Sequence, residues 1–115
     1  TRERKRVGCE ETFSEDIPAG DELNARLSEI ASHLVRRLAR HEFRGRTLTL
    51  KVRFADFTTK TRSVTALRAF EDEAFVRQKA GELLAGIEIP PAGVRLLGLA
   101  VSQPENSGPM EETLF

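Results

Sequence analysis

Residues 47–54 constrain the fold of this chain more than any other stretch. Leu48, Leu50, Val52 and Phe54 alternate with Thr47, Thr49, Lys51 and Arg53. A period of two sends the first set to one face of an extended strand and the second set to the other. The stretch therefore predicts a strand with one dry face and one wet face. Such a strand needs a cover for its apolar side and partners for its edges. Ala55-Asp56-Phe57-Thr58 follows as a short turn. Residues 59–66, rich in Thr and Val, read as the returning strand of a hairpin.

The cover comes from two helical stretches. Leu23, Leu27, Ile30, Ala31, Leu34 and Leu38 recur at spacings of three and four. That is one apolar stripe on a helix that starts after an expected N-cap at Asp21 and stops near Gly45. A second helix is expected after an N-cap at Asp72. Phe75, Val76, Ala80, Leu83, Leu84 and Ile87 face its core side, and Gly86 with Pro90-Pro91 ends it. Val7 to Phe13 reads as a first strand, residues 14–20 as a loop, and Val94 to Ser102 as a last strand with Gly98 inside it. The order is β-α-β-β-α-β. Two one-striped helices cover one side of a four-stranded sheet, giving an α+β fold whose other sheet face is wet or bound to something. A length of 115 residues suits one such domain.

Several function classes drop out. The longest apolar runs are too short to span a bilayer. The charged start Thr1-Arg2-Glu3-Arg4-Lys5-Arg6 is not followed by the apolar run of a secretory signal. A first residue of Thr rather than Met suggests an excised or processed chain. One cysteine, Cys9, leaves no internal disulfide and suits a reducing compartment. His33 and His41, eight apart, have no cysteine or carboxylate at ligand spacing from both, and surface or boundary histidines are the better reading. Phosphate-cradling glycine loops, HExxH and paired CxxC are all missing. Glu71-Asp72-Glu73 complements a helix dipole. Glu10-Glu11 and Glu15-Asp16 read as solvated carboxylates. No catalytic residue, metal ligand or cofactor site is expected.

The wet face carries what signal remains. Thr47, Thr49, Lys51 and Arg53 are joined by Lys60, Thr61, Arg62 and Ser63 on the return strand. Lys5, Arg6 and Gly8 come from the first strand, and Arg95, Gly98, Ala100 and Ser102 from the last. Cations, hydroxyls and small residues suit a phosphate backbone, and none of these positions is aromatic, so bases are not read by stacking. Thr, Lys and Arg are also the ordinary residues of any wet strand, and the residues alone leave both readings standing. Arg62 and Ser63 are neighbours, so sharing one face requires a bulge or an edge position. Net charge is zero, so any grip is a local patch.

Three blocks resemble the little finger domain of Y-family translesion DNA polymerases, the DinB or ImpB/MucB/SamB group. Val7-Gly8-Cys9-Glu10-Glu11-Thr12-Phe13 is similar to its opening (V/I)-G-x-E-x-T-F, with Glu15-Asp16-Ile17 after it. Residues 47–57 and Thr61-Arg62-Ser63 resemble its central hairpin, and Gly93-Val94-Arg95-Leu96-Leu97-Gly98-Leu99 its closing strand. The resemblance covers residues 5 to 103 and implies an open sheet face lying in the major groove of primer–template DNA. The contacts it implies are Arg6, Gly8, Lys51, Arg53, Arg62, Ser63 and Arg95. Arg6 departs from the Ser of many members, and Leu96 stands where some carry a second cation.

The same resemblance implies a bacterial cytoplasmic protein and a catalytic core, outside this chain, that polymerises DNA with Mg²⁺. Residues 1–103 would be the DNA-binding domain and 104–115 a flexible tail. Glu111-Glu112-Thr113-Leu114-Phe115 resembles a sliding-clamp peptide, with Leu114 and Phe115 as its two apolar anchors. Two other readings stand beside DNA binding. One is a protein-interaction module for a clamp or the polymerase core. The other, disfavoured by the missing aromatics and pocket motifs, is an unrelated small domain for RNA or a metabolite.

Overall fold

A computed structural model describes residues 6–103. The elements are β1 (Arg6–Ile17), α1 (Asp21–Arg40), β2 (Thr47–Phe54), β3 (Thr59–Thr65), α2 (Glu73–Ala85) and β4 (Val94–Ser102). They form one antiparallel sheet in the order β1-β4-β2-β3. The expected β-α-β-β-α-β order and α+β class are those observed.

The alternation in β2 does what its period requires. Leu48, Leu50, Val52 and Phe54 are buried against the helices. Val94, Leu97, Leu99 and Val101 of β4 join them in the same core. α1 lies over β1 and β4, and α2 over β2 and β3. The six stripe residues of α1 are all buried. α2 buries Val76, Ala80 and Leu84, one per turn, while Phe75 and Leu83 pack at the margin. Removing one of these core leucines would cost about 2–5 kcal/mol.

Helix ends and strand ends differ from the sequence expectations in instructive ways. Asp72 caps α2 as expected, its carboxylate accepting from the Phe75 N–H at 2.9 Å. Asp21 does not cap α1. Gly20 holds that position with φ 143, and Asp21 is the first helical residue, where with Glu22 it complements the dipole. α1 stops at Arg40, before Gly45. Glu42 takes a left-handed φ of 53, the Phe43 N–H reaches back to the Leu38 carbonyl, and the Glu42 N–H reaches Ala39. This is a Schellman ending sealed by buried Phe43, built without the usual glycine. β1 runs four residues past Phe13. Between the pairs Thr12↔Leu96 and Ile17↔Val94, residues 13–16 of β1 oppose only Arg95 of β4. That irregularity destroys the alternation and disguised the end of β1 as a loop.

Gly45 has a different task from the one expected of it. A Cβ there would collide with the Ser102 carbonyl, and the Gly45 carbonyl accepts from the Phe70 N–H at 2.8 Å. The α1–β2 loop thus crosses the end of β4 at a distance only glycine permits. Gly81, inside α2, has open space where a Cβ would go. Gly45→Ala is expected to destabilise the fold by about 1–3 kcal/mol through overpacking. Gly81→Ala is expected to stabilise it by about 0.5–1 kcal/mol through helix propensity. Urea melts of the two variants test the opposite signs.

Candidate nucleic-acid interface

Register decides which side chains share the uncovered face. Directly opposed residues in an antiparallel sheet point the same way. Four rows cross the sheet on the side away from the helices. The first is Arg6, Ser102, Thr47 and Thr65; the second is Gly8, Ala100, Thr49 and Ser63. The third is Glu10, Gly98, Lys51 and Thr61, and the fourth is Thr12, Leu96, Arg53 and Thr59.

The face is a trough rather than a plane. Leu96 and Ala100 are each 4% exposed, and Gly98 is buried, yet neither Leu96 nor Ala100 belongs to the core under the helices. These short or recessed β4 residues form a floor. Longer side chains of β1 and β2 overhang it, and a shallow recess opens among Arg6, Gly8, Glu10, Lys51 and Ala100. At Gly8 a Cβ would press within 2.9 Å of the Ala100 Cβ, so the floor is as low there as the backbone allows.

Hydroxyl pairs line the β2–β3 side. Thr47 and Thr65 hydroxyls lie 2.8 Å apart, and so do those of Thr49 and Ser63. Thr49 is only 3% exposed, its oxygen satisfied by that pair. Arg53 donates from Nε to the hydroxyl of its cross-strand partner Thr59 at 3.2 Å, which ties the guanidinium to β3. Lys51 Nζ lies 3.3 Å from Glu10 Oε1 across Gly98, with its side chain 15% exposed. One carboxylate therefore stands among the cations of this face.

The sequence-predicted residues divide on this geometry. Arg6, Gly8, Lys51, Arg53 and Ser63 come together on the open face. Arg62 does not join them. It is paired with Leu50, and β3 has unbroken register from Thr59 to Thr65. Arg62 and Lys60 thus have helix-side parity, and no bulge brings Arg62 next to Ser63. β3 is an edge strand, and both side chains remain exposed. Arg95 is the extra residue of a bulge, lying between the β2–β4 pairs Arg53↔Leu96 and Phe54↔Val94. Asp16 holds it, with Nε to Oδ1 at 2.7 Å and Nη2 to Oδ2 at 3.4 Å, and this contact raises the already high guanidinium pKa. The clamp-peptide residues Leu114 and Phe115 lie outside the described residues.

Three of the four carboxylates read from the sequence as solvated are paired with cations. Glu10 meets Lys51, Glu11 meets Arg26 of α1 at 3.1 Å, and Asp16 meets Arg95. Cys9 has helix-side parity and its Sγ donates to the Ile30 carbonyl at 3.4 Å. Burial pushes its thiol pKa up, against a smaller opposing pull from Arg37. The thiolate a nucleophile needs is disfavoured. His33 and His41 are exposed. Among the described residues no three His, Cys, Asp or Glu side chains converge as metal ligands, and no helix is long and apolar enough to cross a membrane.

The sequence missed one feature at the end of the trough. Phe57, in the β2–β3 turn, is 65% exposed with φ 72, and the Arg95 guanidinium carbon lies 5.4 Å from its ring centre. The signal available was the aromatic at a turn position that favours Gly or Asn.

Comparison with known proteins places this geometry in a family. The family model described as the impB/mucB/samB family C-terminal domain matches residues 4–114. A DNA polymerase IV of Akkermansia muciniphila is 43% identical over 105 residues, covering 91% of this chain and 29% of that protein. A DNA polymerase IV of Bacteroides fragilis is 39% identical over 119 residues, covering 99% of this chain and 33% of that protein. The chain thus spans about a third of the length of these curated relatives. Among solved structures, a complex of a beta-clamp processivity factor with the little finger domain of PolIV superimposes with a TM-score of 0.70. The identity is 28%, over 96% of both chains. The insertion ternary complex of Dbh DNA polymerase superimposes with a TM-score of 0.69 over 85% of this chain and 28% of that one. At 12% identity it shares the fold.

Proposed function

This chain belongs to the impB/mucB/samB C-terminal domain family, the little finger domains of Y-family DNA polymerases, and from that premise we propose that its open trough grips the backbone of primer–template DNA without reading sequence. The observation that carries the reading is the composition of the four rows. Hydroxyls and cations flank a floor of Gly8, Gly98 and Ala100, and no aromatic side chain has open-face parity in the four strands. Short donors and positive charge beside a low floor suit phosphates approaching closely. Sequence discrimination would need base-edge partners or stacking platforms, which these rows lack.

In this reading Arg6, Lys51 and Arg53 supply charge, Gly8 and Ser63 supply access and hydrogen bonds, and Arg95 supplies a guanidinium at the end of the trough. Arg62 reaches a phosphate only around the β3 edge. The parent protein is a template-directed polymerase of the bacterial cytoplasm working in damage tolerance. In this reading Mg²⁺ would be held by the catalytic core, outside this chain. The contribution of this domain is positioning, which lowers the entropic cost of aligning primer and template in the core.

Glu10 tempers the grip. Each phosphate that approaches Lys51 competes with a carboxylate 3.3 Å away. Together with a formal net charge of zero, this makes the isolated domain a weak binder that acts at the high local concentration set by its covalent neighbours.

A second reading, binding of a sliding clamp through residues 111–115, is favoured by the likeness to the clamp-bound little finger domain. Leu114 and Phe115 would be its anchors. It is compatible with DNA binding because the tail and the trough are separate parts of the chain.

Three measurements test these readings. The slope of log K against log salt for duplex DNA is expected to fall by about 1.8 in Arg53→Ala with Arg62→Ala, about 0.9 for each phosphate that is no longer neutralised. A fall of about 0.9 leaves only one of the two arginines on a phosphate, which the single variants identify, and an unchanged slope rejects the trough. Glu10→Gln is expected to tighten duplex binding at low salt, and weaker binding would reject competition at Lys51. Deleting Glu111 to Phe115 is expected to abolish clamp binding and leave DNA binding intact; a clamp affinity equal to that of the whole chain rejects the peptide.

A further inference from the structure

The β2–β3 turn breaks a local rule at Phe57. The turn is closed by backbone bonds from the Phe57 N–H to the Phe54 carbonyl and from the Phe54 N–H to the Thr58 carbonyl, both 2.8 Å. Asp56 reinforces it, accepting from the Thr58 N–H at 3.0 Å and the Thr58 hydroxyl at 2.7 Å. None of these bonds uses the side chain of residue 57. The left-handed φ of 72 is a conformation that Gly or Asn adopts cheaply and a bulky residue does not. The phenyl ring is not repaid by burial either, since it is 65% exposed. Neither the turn nor the core accounts for an aromatic here, and local rules are broken most often where function requires it.

The surroundings indicate what the ring would meet. Arg95, held by Asp16 in the β4 bulge, sits 5.4 Å from the ring centre. Arg53, near the end of β2 that leads into this turn, is aligned by Thr59. An exposed π-face with one held guanidinium beside it and a second cation on the strand leading into the turn, at the open end of a trough read as a phosphate track, matches one ligand chemistry. A nucleic-acid strand offers a base face for the ring and phosphates for the cations. The base must be unpaired, because inside a duplex both of its faces are already stacked. We infer that Phe57 is a stacking platform for an unpaired base of single-stranded DNA where it continues beyond the duplex, with Arg95 on a neighbouring phosphate. The inference rests on the trough reading above and adds to it a contact with the unpaired template.

The chain contains no Trp and no Tyr, so Phe57→Trp places a single indole at the proposed contact. The full 115-residue chain is titrated with blunt duplex and with primer–template bearing a single-stranded overhang. Anisotropy of labelled DNA reports binding and indole fluorescence reports stacking. Quenching is expected with the overhang and not with blunt duplex. Phe57→Gly relieves the backbone and is expected to keep or raise the melting temperature. It should weaken binding to the overhang substrate about fivefold or more, the effect of removing one base–aromatic stack, with blunt-duplex affinity unchanged. Duplex binding without overhang-dependent quenching, or full overhang affinity in Phe57→Gly, overturns the inference while leaving the trough intact. Quenching on addition of a protein partner but not of DNA assigns the ring to that partner and overturns it as well. Absence of all DNA binding in the unsubstituted chain rejects the trough and this contact together.

Discussion

Two helices can cover only one face of a four-stranded sheet, and the rest of the molecule follows from that imbalance. α1 and α2 bury the inward parity of β2 and β4, so the outward parity must be stable in water or against a ligand. In a strand as central as β4, both neighbours shield the backbone, and small side chains at Gly98 and Ala100 leave a floor instead of a ridge. The same strand therefore has two characters: Val94, Leu97, Leu99 and Val101 belong to the core, while Leu96, Gly98, Ala100 and Ser102 pave the trough. Edge strands take the opposite role. β3 is almost wholly exposed and polar, with Lys60 and Arg62 on one side and Thr61 and Ser63 on the other, which also discourages edge-to-edge pairing with another chain.

Electrostatics on the open face are local and partly self-compensated. Lys51 is matched by Glu10 and Arg95 by Asp16. These half-exposed pairs contribute little to stability, of the order of 0–1 kcal/mol each. On the proposed reading their effect is on the ligand: a phosphate would have to displace a carboxylate or share a cation with it. Under the proposed reading such pairing makes the hold on DNA reversible, in keeping with a part that would position a substrate for chemistry done elsewhere. It also explains how a chain of zero net charge can present a cationic surface.

Strain and crowding concentrate at the ends of the trough rather than in its rows. At one end Gly45 passes under the Ser102 carbonyl. At the other, Gly93 has φ 96 and would crowd the Ile17 backbone if it carried a Cβ, Arg95 is bulged, and Phe57 is left-handed. Gly45 and Gly93 serve packing. Phe57 serves neither packing nor turn geometry, which separates it from the other irregular positions.

Much of this was legible in the chain itself. Periodicity is a local property: the 48-50-52-54 alternation and the 23-27-30-31-34-38 stripe specify which side of each element is apolar, whatever the partners are. The element order, the one-sided helical layer, the Asp72 cap and the cation-and-hydroxyl character of the wet strand follow from such local patterns. Pairing register, bulges and close crossings are not local. Nothing near Arg62 reveals that it opposes Leu50 and so leaves the open face. Nothing near Arg95 reveals the four residues of β1 that face it alone, and nothing near Phe13 shows that its strand continues to Ile17. Lys51 meets Glu10 only because β4 lies between their strands and brings residues 41 positions apart across one glycine. The chain by itself determined which faces are dry and what chemistry the wet face carries. The tertiary structure alone decided which of those wet residues stand side by side, because strand order and register are set by the summed hydrogen bonding and burial of the whole sheet.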